Sequence, residues 1–116
     1  MDIKIESAKK EDKQFILNAN KEINEISGLD DSVLADNIDT DIFGKNKLCF
    51  CIVAKYNDKT IGMSIYSYIY KANLGKGIYL SQVYVDESYR QKGILKMFFE
   101  YIFIFKRYKS YITATI

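Results

Sequence analysis

Two cationic side chains and a glycine, Arg90, Lys92 and Gly93, stand between a predicted strand and a predicted helix. The first N–H groups of a helix have no partner within it, and the helix dipole favours an anion at this end. A glycine lets the backbone approach a ligand closely. The spacing therefore predicts a diphosphate-binding site at this turn.

The absence of histidine from the sequence excludes any mechanism with an imidazole base, nucleophile or metal ligand. Cysteine occurs only at Cys49 and Cys51, which is too few for a disulfide framework or a four-cysteine zinc site. Two positions apart in a strand, these side chains share a face. We therefore expect two small core side chains, with no metal and no redox pair.

The charge of the 116-residue chain is unevenly distributed although the net charge is only +2. Residues 1–58 carry 12 acidic and 8 basic side chains, whereas residues 59–116 carry 3 and 9. A basic half suggests an anionic partner, which could be a phosphorylated cofactor, a nucleic acid or a membrane surface. The alternative is a solvated lysine surface.

The two macromolecular partners are the less favoured choices. The aromatic and basic residues do not cluster densely enough for a nucleic-acid surface, and no apolar run reaches the ~18 residues of a membrane span. The start of the chain, residues 1–13, is charged and lacks an apolar signal segment. We expect a cytoplasmic protein with no nucleic-acid and no membrane partner.

Hydrophobic periodicity predicts a single domain with helices and a mixed sheet. Helices are predicted over Glu11–Ile26, with Gly28 as the stop, from Asp30 or Asp31 to a point before Gly44, and over Ile94–Lys106. Strands are predicted over Met1–Glu6, Leu48–Tyr56, Thr60–Tyr70, Ile78–Val85 and Tyr111–Ile116. The order is β-α-α-β-β-β-α-β, in which residues 48–85 form an antiparallel meander and the last two strands are parallel. Gly62 inside a strand suggests a bulge or a close backbone approach.

The strand that ends Gln82-Val83-Tyr84-Val85, followed by residues 86–94, resembles the acetyl-CoA signature of the GCN5-related N-acetyltransferase (GNAT) superfamily. That signature reads Arg/Gln-x-x-Gly-x-Gly/Ala after a strand and at the start of a helix. Arg90 and Gly93 match its first and fourth positions. The element order resembles this α/β fold along the whole chain, so residues 1–116 are expected to form one GNAT-like domain.

The resemblance implies an acetyl-CoA site and a reaction in which a small amine attacks the thioester directly. Backbone groups of Val83, Tyr84 and Val85 would pair with the pantetheine arm. The pyrophosphate would be held by the loop, which consists of Arg90, Gln91, Lys92, Gly93, Ile94 and Leu95. The thioester would enter between the fourth and fifth strands.

The chain departs from the family pattern at several places. Leu95 stands where the family prefers glycine or alanine, and could crowd the phosphates or the contact between helix and strand. The predicted strand Ile78–Val85 resembles the fourth strand of the polyamine-type members, which carry acids where this chain has Ser81 and Gln82. Ser81, Gln82 and Tyr84 remain the candidate catalytic residues, and a water chain or a carboxylate elsewhere would have to remove the ammonium proton.

The sequence also ends where family members continue into a further helix and two strands, which predicts a C-terminally shortened domain without the usual thiolate-protonating tyrosine. Residues 97–105 carry a single charge, Glu100, and are apolar nearly all round. We therefore expect a homodimer through residues 97–116. The alternative to an active enzyme is a catalytically inactive remnant that binds CoA or only dimerises.

Overall fold

The structure of the protein is a computed structural model that describes residues 1–105 and the backbone of residues 112–114. The strands are β1 (Ile3–Ser7), β2 (Phe50–Tyr56), β3 (Lys59–Lys71), β4 (Gly75–Val85) and β5 (Ile112–Ala114). The helices are α1 (Lys13–Ser27), α2 (Ser32–Asp41) and α3 (Ile94–Glu100), and a π-helical turn, Tyr101–Phe105, continues α3. This is the predicted element order. Lys106 of the predicted last helix and Tyr111, Thr115 and Ile116 of the predicted last strand lie outside the described residues.

The five strands form one sheet in the order β1-β2-β3-β4-β5. Neighbours are antiparallel except β4 and β5, which are parallel and pair from Ile78–Ile112 to Leu80–Ala114. One face packs against α1 and α2, and the other packs against α3. The mixed α/β architecture predicted from the sequence is confirmed. No helix within residues 1–105 is long and apolar enough to cross a membrane.

Each face of the sheet carries its own hydrophobic core. On one face, Ile16 and Ala19 of α1 pack with Val53 and Met63 of the sheet. On the other face, Phe98 of α3 is completely buried. Because α1 and α2 cover one side of the sheet and α3 covers the other, the central strands β2 and β3 are buried on both faces.

Local signals set the ends of the first two helices. Gly28 has φ of 69°, and its N–H donates back to the last turn of α1, so a residue without a Cβ stops the helix. A carboxylate oxygen of Asp30 accepts a hydrogen bond from the Ser32 N–H at 2.9 Å where α2 begins. The predicted stop is present, and of the two predicted acidic residues Asp30 accepts this hydrogen bond, whereas the N-cap residue Asp31 makes no side-chain cap.

A bulge shifts the register of the β2–β3 hairpin. The two-residue turn at Asn57 and Asp58 has positive φ at both positions, as a tight hairpin requires. Ala54 then pairs with Gly62, which leaves Ile61 as the extra residue. A Cβ at Gly62 would lie only 3.1 Å from the carbonyl oxygen of Tyr84. The bulge and the close backbone approach predicted at Gly62 therefore both occur.

A second bulge lies in the middle of β4. Leu80 pairs with Tyr66 but Gln82 pairs with Ile65, so Ser81 is the extra residue. One inserted residue reverses the faces of all side chains that follow it. Leu80 and Val83 therefore both face α3, whereas Gln82 faces α1.

The two cysteines lie on the α1–α2 face as small core side chains, in agreement with the sequence analysis. Cys51 is buried and Cys49 half-buried, and both are free thiols. Burial raises the pKa of each thiol, which keeps it protonated at neutral pH. Neither thiol has the lowered pKa of a reactive cysteine.

The buried carboxylate of Asp12 fixes the start of α1 to the sheet. One of its oxygens accepts hydrogen bonds from Lys55 Nζ at 2.5 Å and Thr60 Oγ1 at 2.7 Å, and the other accepts the Lys9 N–H at 2.8 Å. Burial raises the pKa of Asp12, but these hydrogen bonds and the lysine charge outweigh it, and the pKa lies below its ordinary value. Asp12 therefore stabilises the fold above the unfolded-state pKa and loses that effect as the pH falls through the folded-state pKa.

Asp12→Asn should lower the free energy of unfolding by roughly 3–5 kcal/mol, because it leaves the Lys55 ammonium without its buried partner. Asp39→Asn is the matched control, since Asp39 pairs with Lys13 at an exposed site and its loss should change stability by about 1 kcal/mol or less. Urea unfolding of the two variants measures both values. Equal effects would contradict the assignment of Asp12 as the anchor of α1.

Candidate functional site

A surface pocket of about 360 Å³ opens between the second half of α1 and the end of β4. It is lined by Glu22, Ile23, Ile26, Val83, Tyr84, Val85, Arg90 and Leu95. The last five of these residues are among those for which the sequence analysis expected a role in binding acetyl-CoA. The three residues of α1 were not predicted.

Arg90 crosses the end of β4 and forms one wall of the pocket. Its Nε donates a hydrogen bond of 2.9 Å to the carbonyl oxygen of Val85, and its guanidinium carbon lies 5.7 Å from the centre of the Tyr84 ring. The Arg90 N–H donates to the Glu87 carbonyl at 3.4 Å. The carbonyl of Val85 keeps a second lone pair. A positive charge is thus held beside the backbone at which the pantetheine arm was expected.

The loop between β4 and α3 contains two residues in the left-handed backbone region. Gln91 and Gly93 both have positive φ, of 63° and 77°, and Gly93 immediately precedes α3. Apart from its two chain neighbours, no atom of the described residues lies within 4 Å of the position that a Cβ of Gly93 would occupy. Gln91 and Lys92 are exposed, whereas the side chain of Ile94 enters the core. The loop therefore exposes backbone and one lysine while Ile94 anchors it.

Leu95 lies on the pocket wall and not between α3 and the sheet. It lines the pocket and is 46% exposed, whereas Ile94 is 3% exposed. The expected crowding of the contact between helix and strand is therefore absent. The leucine narrows the pocket itself.

The amide of Gln82 is used to hold α1 against β4. Its Nε2 donates to Asn20 Oδ1 at 2.8 Å, and the buried Asn20 donates in turn to the Asp31 carbonyl at 3.2 Å. Gln82 Oε1 is buried without a hydrogen-bond partner among the described residues. Ser81 is exposed on its bulge. Neither Ser81 nor Gln82 lines the pocket.

Tyr84 is the one catalytic candidate that the structure places in the pocket. Its hydroxyl donates a hydrogen bond of 2.6 Å to Glu22 Oε2, and the Phe15 ring meets its ring edge-on at 5.9 Å. The hydrogen bond to Glu22 raises the pKa of Tyr84, and burial adds to the shift. The phenol is therefore a neutral hydrogen-bond donor at neutral pH.

Sequence reasoning missed Glu22, the carboxylate partner of Tyr84. Glu22 stands seven residues after Phe15, and two turns of a helix place residues at that spacing on one face. A charged residue on the face of α1 that carries Phe15 was the available signal. The pocket thus combines a carboxylate on its α1 wall with a guanidinium at the end of β4.

The class to which this fold belongs follows from comparison with known families. The model of the acetyltransferase (GNAT) family matches residues 13–107. The chain belongs to the GNAT family.

Two curated relatives cover parts of the chain. The thialysine N-epsilon-acetyltransferase of Sus scrofa is 32% identical over 100 residues, which is 78% of this chain. The spermidine/spermine N(1)-acetyltransferase-like protein 1 of Homo sapiens is 36% identical over 61 residues, or 47% of this chain. The chain spans 59% of the length of the pig protein and 9% of the human one. The names agree with the likeness of β4 to polyamine-type members.

Solved structures share the fold. A possible acetyltransferase from Clostridium difficile 630 superposes with a TM-score of 0.78 at 24% identity, covering 98% of this chain and 79% of its own. A predicted acetyltransferase from Clostridium acetobutylicum, solved with acetyl-CoA, has a TM-score of 0.74 at 16% identity over 99% of this chain and 81% of its own. These likenesses extend over nearly the whole chain.

Proposed function

We propose that the protein transfers the acetyl group of acetyl-CoA to a small amine. The observation that carries the proposal is the pocket, because it brings the strand Val83–Val85 together with Arg90 and Leu95 of the signature loop. Membership of the GNAT family and the neighbour that was solved with acetyl-CoA support this choice of donor.

The end of β4 would hold the pantetheine arm. The described pairing of β4 with β5 covers only Ile78–Leu80, so Val83 and Val85 lie beyond it toward the loop. Backbone groups at such a strand edge bind an extended chain as an added strand would. The second lone pair of the Val85 carbonyl remains available beside Arg90.

The loop would hold the diphosphate. Arg90 and Lys92 supply positive charge, and the first N–H groups of α3 lack acceptors within the helix. Gly93 leaves open space in front of this backbone. The bound acetyl-CoA would supply the activated acetyl group, and the protein would orient it and exclude water. No metal takes part in this proposal.

A second candidate function is CoA binding without transfer. It is favoured by Ser81 and Gln82, which cannot act as ordinary bases at neutral pH and do not line the pocket. CoA binding is common to both functions, and release of free CoA in the presence of amines separates them.

CoA should raise the melting temperature of the protein, since a ligand at 100 times its Kd stabilises the folded state by about 2.7 kcal/mol. Gly93→Asn should weaken CoA binding at least about tenfold, because asparagine tolerates positive φ but places a side chain in front of the loop. Gly28→Asn is the matched control, as Gly28 has a similar φ of 69° and equally open surroundings away from the pocket. No thermal shift of the unaltered protein at millimolar CoA would refute the proposed site.

Leu95→Ala should tighten CoA binding by a few-fold, because it widens the pocket at a half-exposed position while alanine keeps a high helix propensity. Calorimetric titration of CoA into both proteins measures the change. Weaker binding by Leu95→Ala would mean that the leucine contacts the ligand favourably instead of narrowing its site.

We further propose that two copies associate through residues 97–116. Phe103 is 36% exposed, so the π-helical turn that continues α3 retains apolar surface. Lys96 and Glu100 form an ion pair of 4.0 Å on the solvent side of α3, which limits this surface to the turn beyond Glu100.

Sedimentation velocity at micromolar concentration should detect a dimer of twice 13.5 kDa. Phe103→Glu should shift the equilibrium to monomer, because a charge at an apolar contact is poorly solvated. Lys96→Glu, on the solvent side of the helix, serves as the charge control. A monomer at all concentrations would reject the interface.

A further inference from the structure

The proposed reaction needs a group that takes a proton from the incoming amine, since an alkylammonium has no lone pair with which to attack. The residues that could do this on β4 are unsuitable. Ser81 is exposed and outside the pocket, and the Gln82 amide is committed to Asn20. Tyr84 carries its proton and donates it in a hydrogen bond to Glu22.

Glu22 is the one carboxylate among the described residues that line the pocket. The hydrogen bond of 2.6 Å from Tyr84 engages Oε2, and no described side chain donates to Oε1. A carboxylate oriented through one oxygen presents the other to a ligand in a defined direction. Glu22 is exposed, so this second oxygen can be reached from solvent, and Ile23 and Ile26 line the same wall of the pocket.

The charges of the pocket are arranged for two different ligands. Arg90 lies on one side of the Tyr84 ring, 5.7 Å from its centre, and Glu22 is bound to the hydroxyl at the end of that ring. An anion is favoured beside Arg90, and a cation is favoured beside Glu22. The part of the pocket beside Arg90 therefore suits the phosphates, and the part beside Glu22 suits an ammonium group.

We propose that Glu22 binds the ammonium group of the acceptor and removes one of its protons, with Tyr84 as the residue that positions the carboxylate. This inference rests on the proposed function. One N–H bond of the ammonium breaks and one O–H bond forms on Glu22, which later releases the proton to solvent. The neutral amine then forms the bond to the acetyl carbon as the carbon–sulfur bond breaks, and a second proton leaves the nitrogen for the departing sulfur.

The class of acceptor follows from the same wall. A pocket lined by one carboxylate and by the apolar Ile23, Ile26 and Leu95 suits a primary amine on a partly apolar body, and it offers a single countercharge to a polyamine. We therefore expect hexylamine to be a better acceptor than spermidine at equal concentration.

Glu22→Gln is the decisive variant, because glutamine can still accept the hydrogen bond from Tyr84 but cannot take a proton. We expect kcat/KM for hexylamine to fall about 100-fold or more, in the range of general-base catalysis. The thermal shift produced by CoA alone should stay unchanged. Glu25→Gln, which alters an exposed residue of the same helix outside the pocket, should change kcat/KM less than about twofold.

A binding measurement tests the inference without turnover. Hexylamine added to the CoA-saturated protein should raise the melting temperature of the unaltered chain and of Glu25→Gln but not of Glu22→Gln. Tyr84→Phe, which keeps the ring against Phe15, should raise KM for the amine with a smaller loss of kcat, and the double variant should be no worse than Glu22→Gln alone.

The two levels of the proposal fail in different ways. If the unaltered protein does not bind CoA, the proposed function is wrong. If it binds CoA and acetylates hexylamine but Glu22→Gln does so equally well, the role of Glu22 is wrong while the proposed function stands. If it binds CoA and acetylates neither hexylamine nor spermidine, the role of Glu22 is also wrong, and CoA binding without transfer is the better description.

Discussion

The single extra residue in β4 determines what the pocket contains. Without the bulge at Ser81, the strict alternation of a strand would send Gln82 and Tyr84 to the face that carries Leu80, against α3. With it, both polar side chains face α1 and the two valines of the strand end pack toward α3. The contacts between β4 and α1 depend on this register.

Two backbone contacts with β3 fix the position of the end of β4. The Asp86 N–H donates to the Ile61 carbonyl at 2.8 Å, and Gly62 allows the backbone of Tyr84 to come close. The bulge at Ile61 thus lies next to both of these contacts. Val83, Tyr84 and Val85 of this strand all line the pocket. A shift of β4 would therefore move all three residues together.

Much of this arrangement could be predicted from the sequence. Gly28 and the Asn57–Asp58 turn have strong local preferences, and Arg90 of the signature loop does line the pocket. The bulge at Ser81 could not be predicted, since serine there gives no local signal and the register depends on pairing with β3. The role of Asp12 was equally hidden, because a carboxylate at the start of a helix is ordinary until its partners from distant strands are known.

A crystal structure of the protein grown with acetyl-CoA is the most direct measurement of the central claim. The account predicts density for the diphosphate against the backbone of residues 91–95, with the pantetheine arm along Val83 and Val85. A well-ordered crystal in which acetyl-CoA lies elsewhere, or in which this pocket holds no ligand at saturating acetyl-CoA, would contradict it.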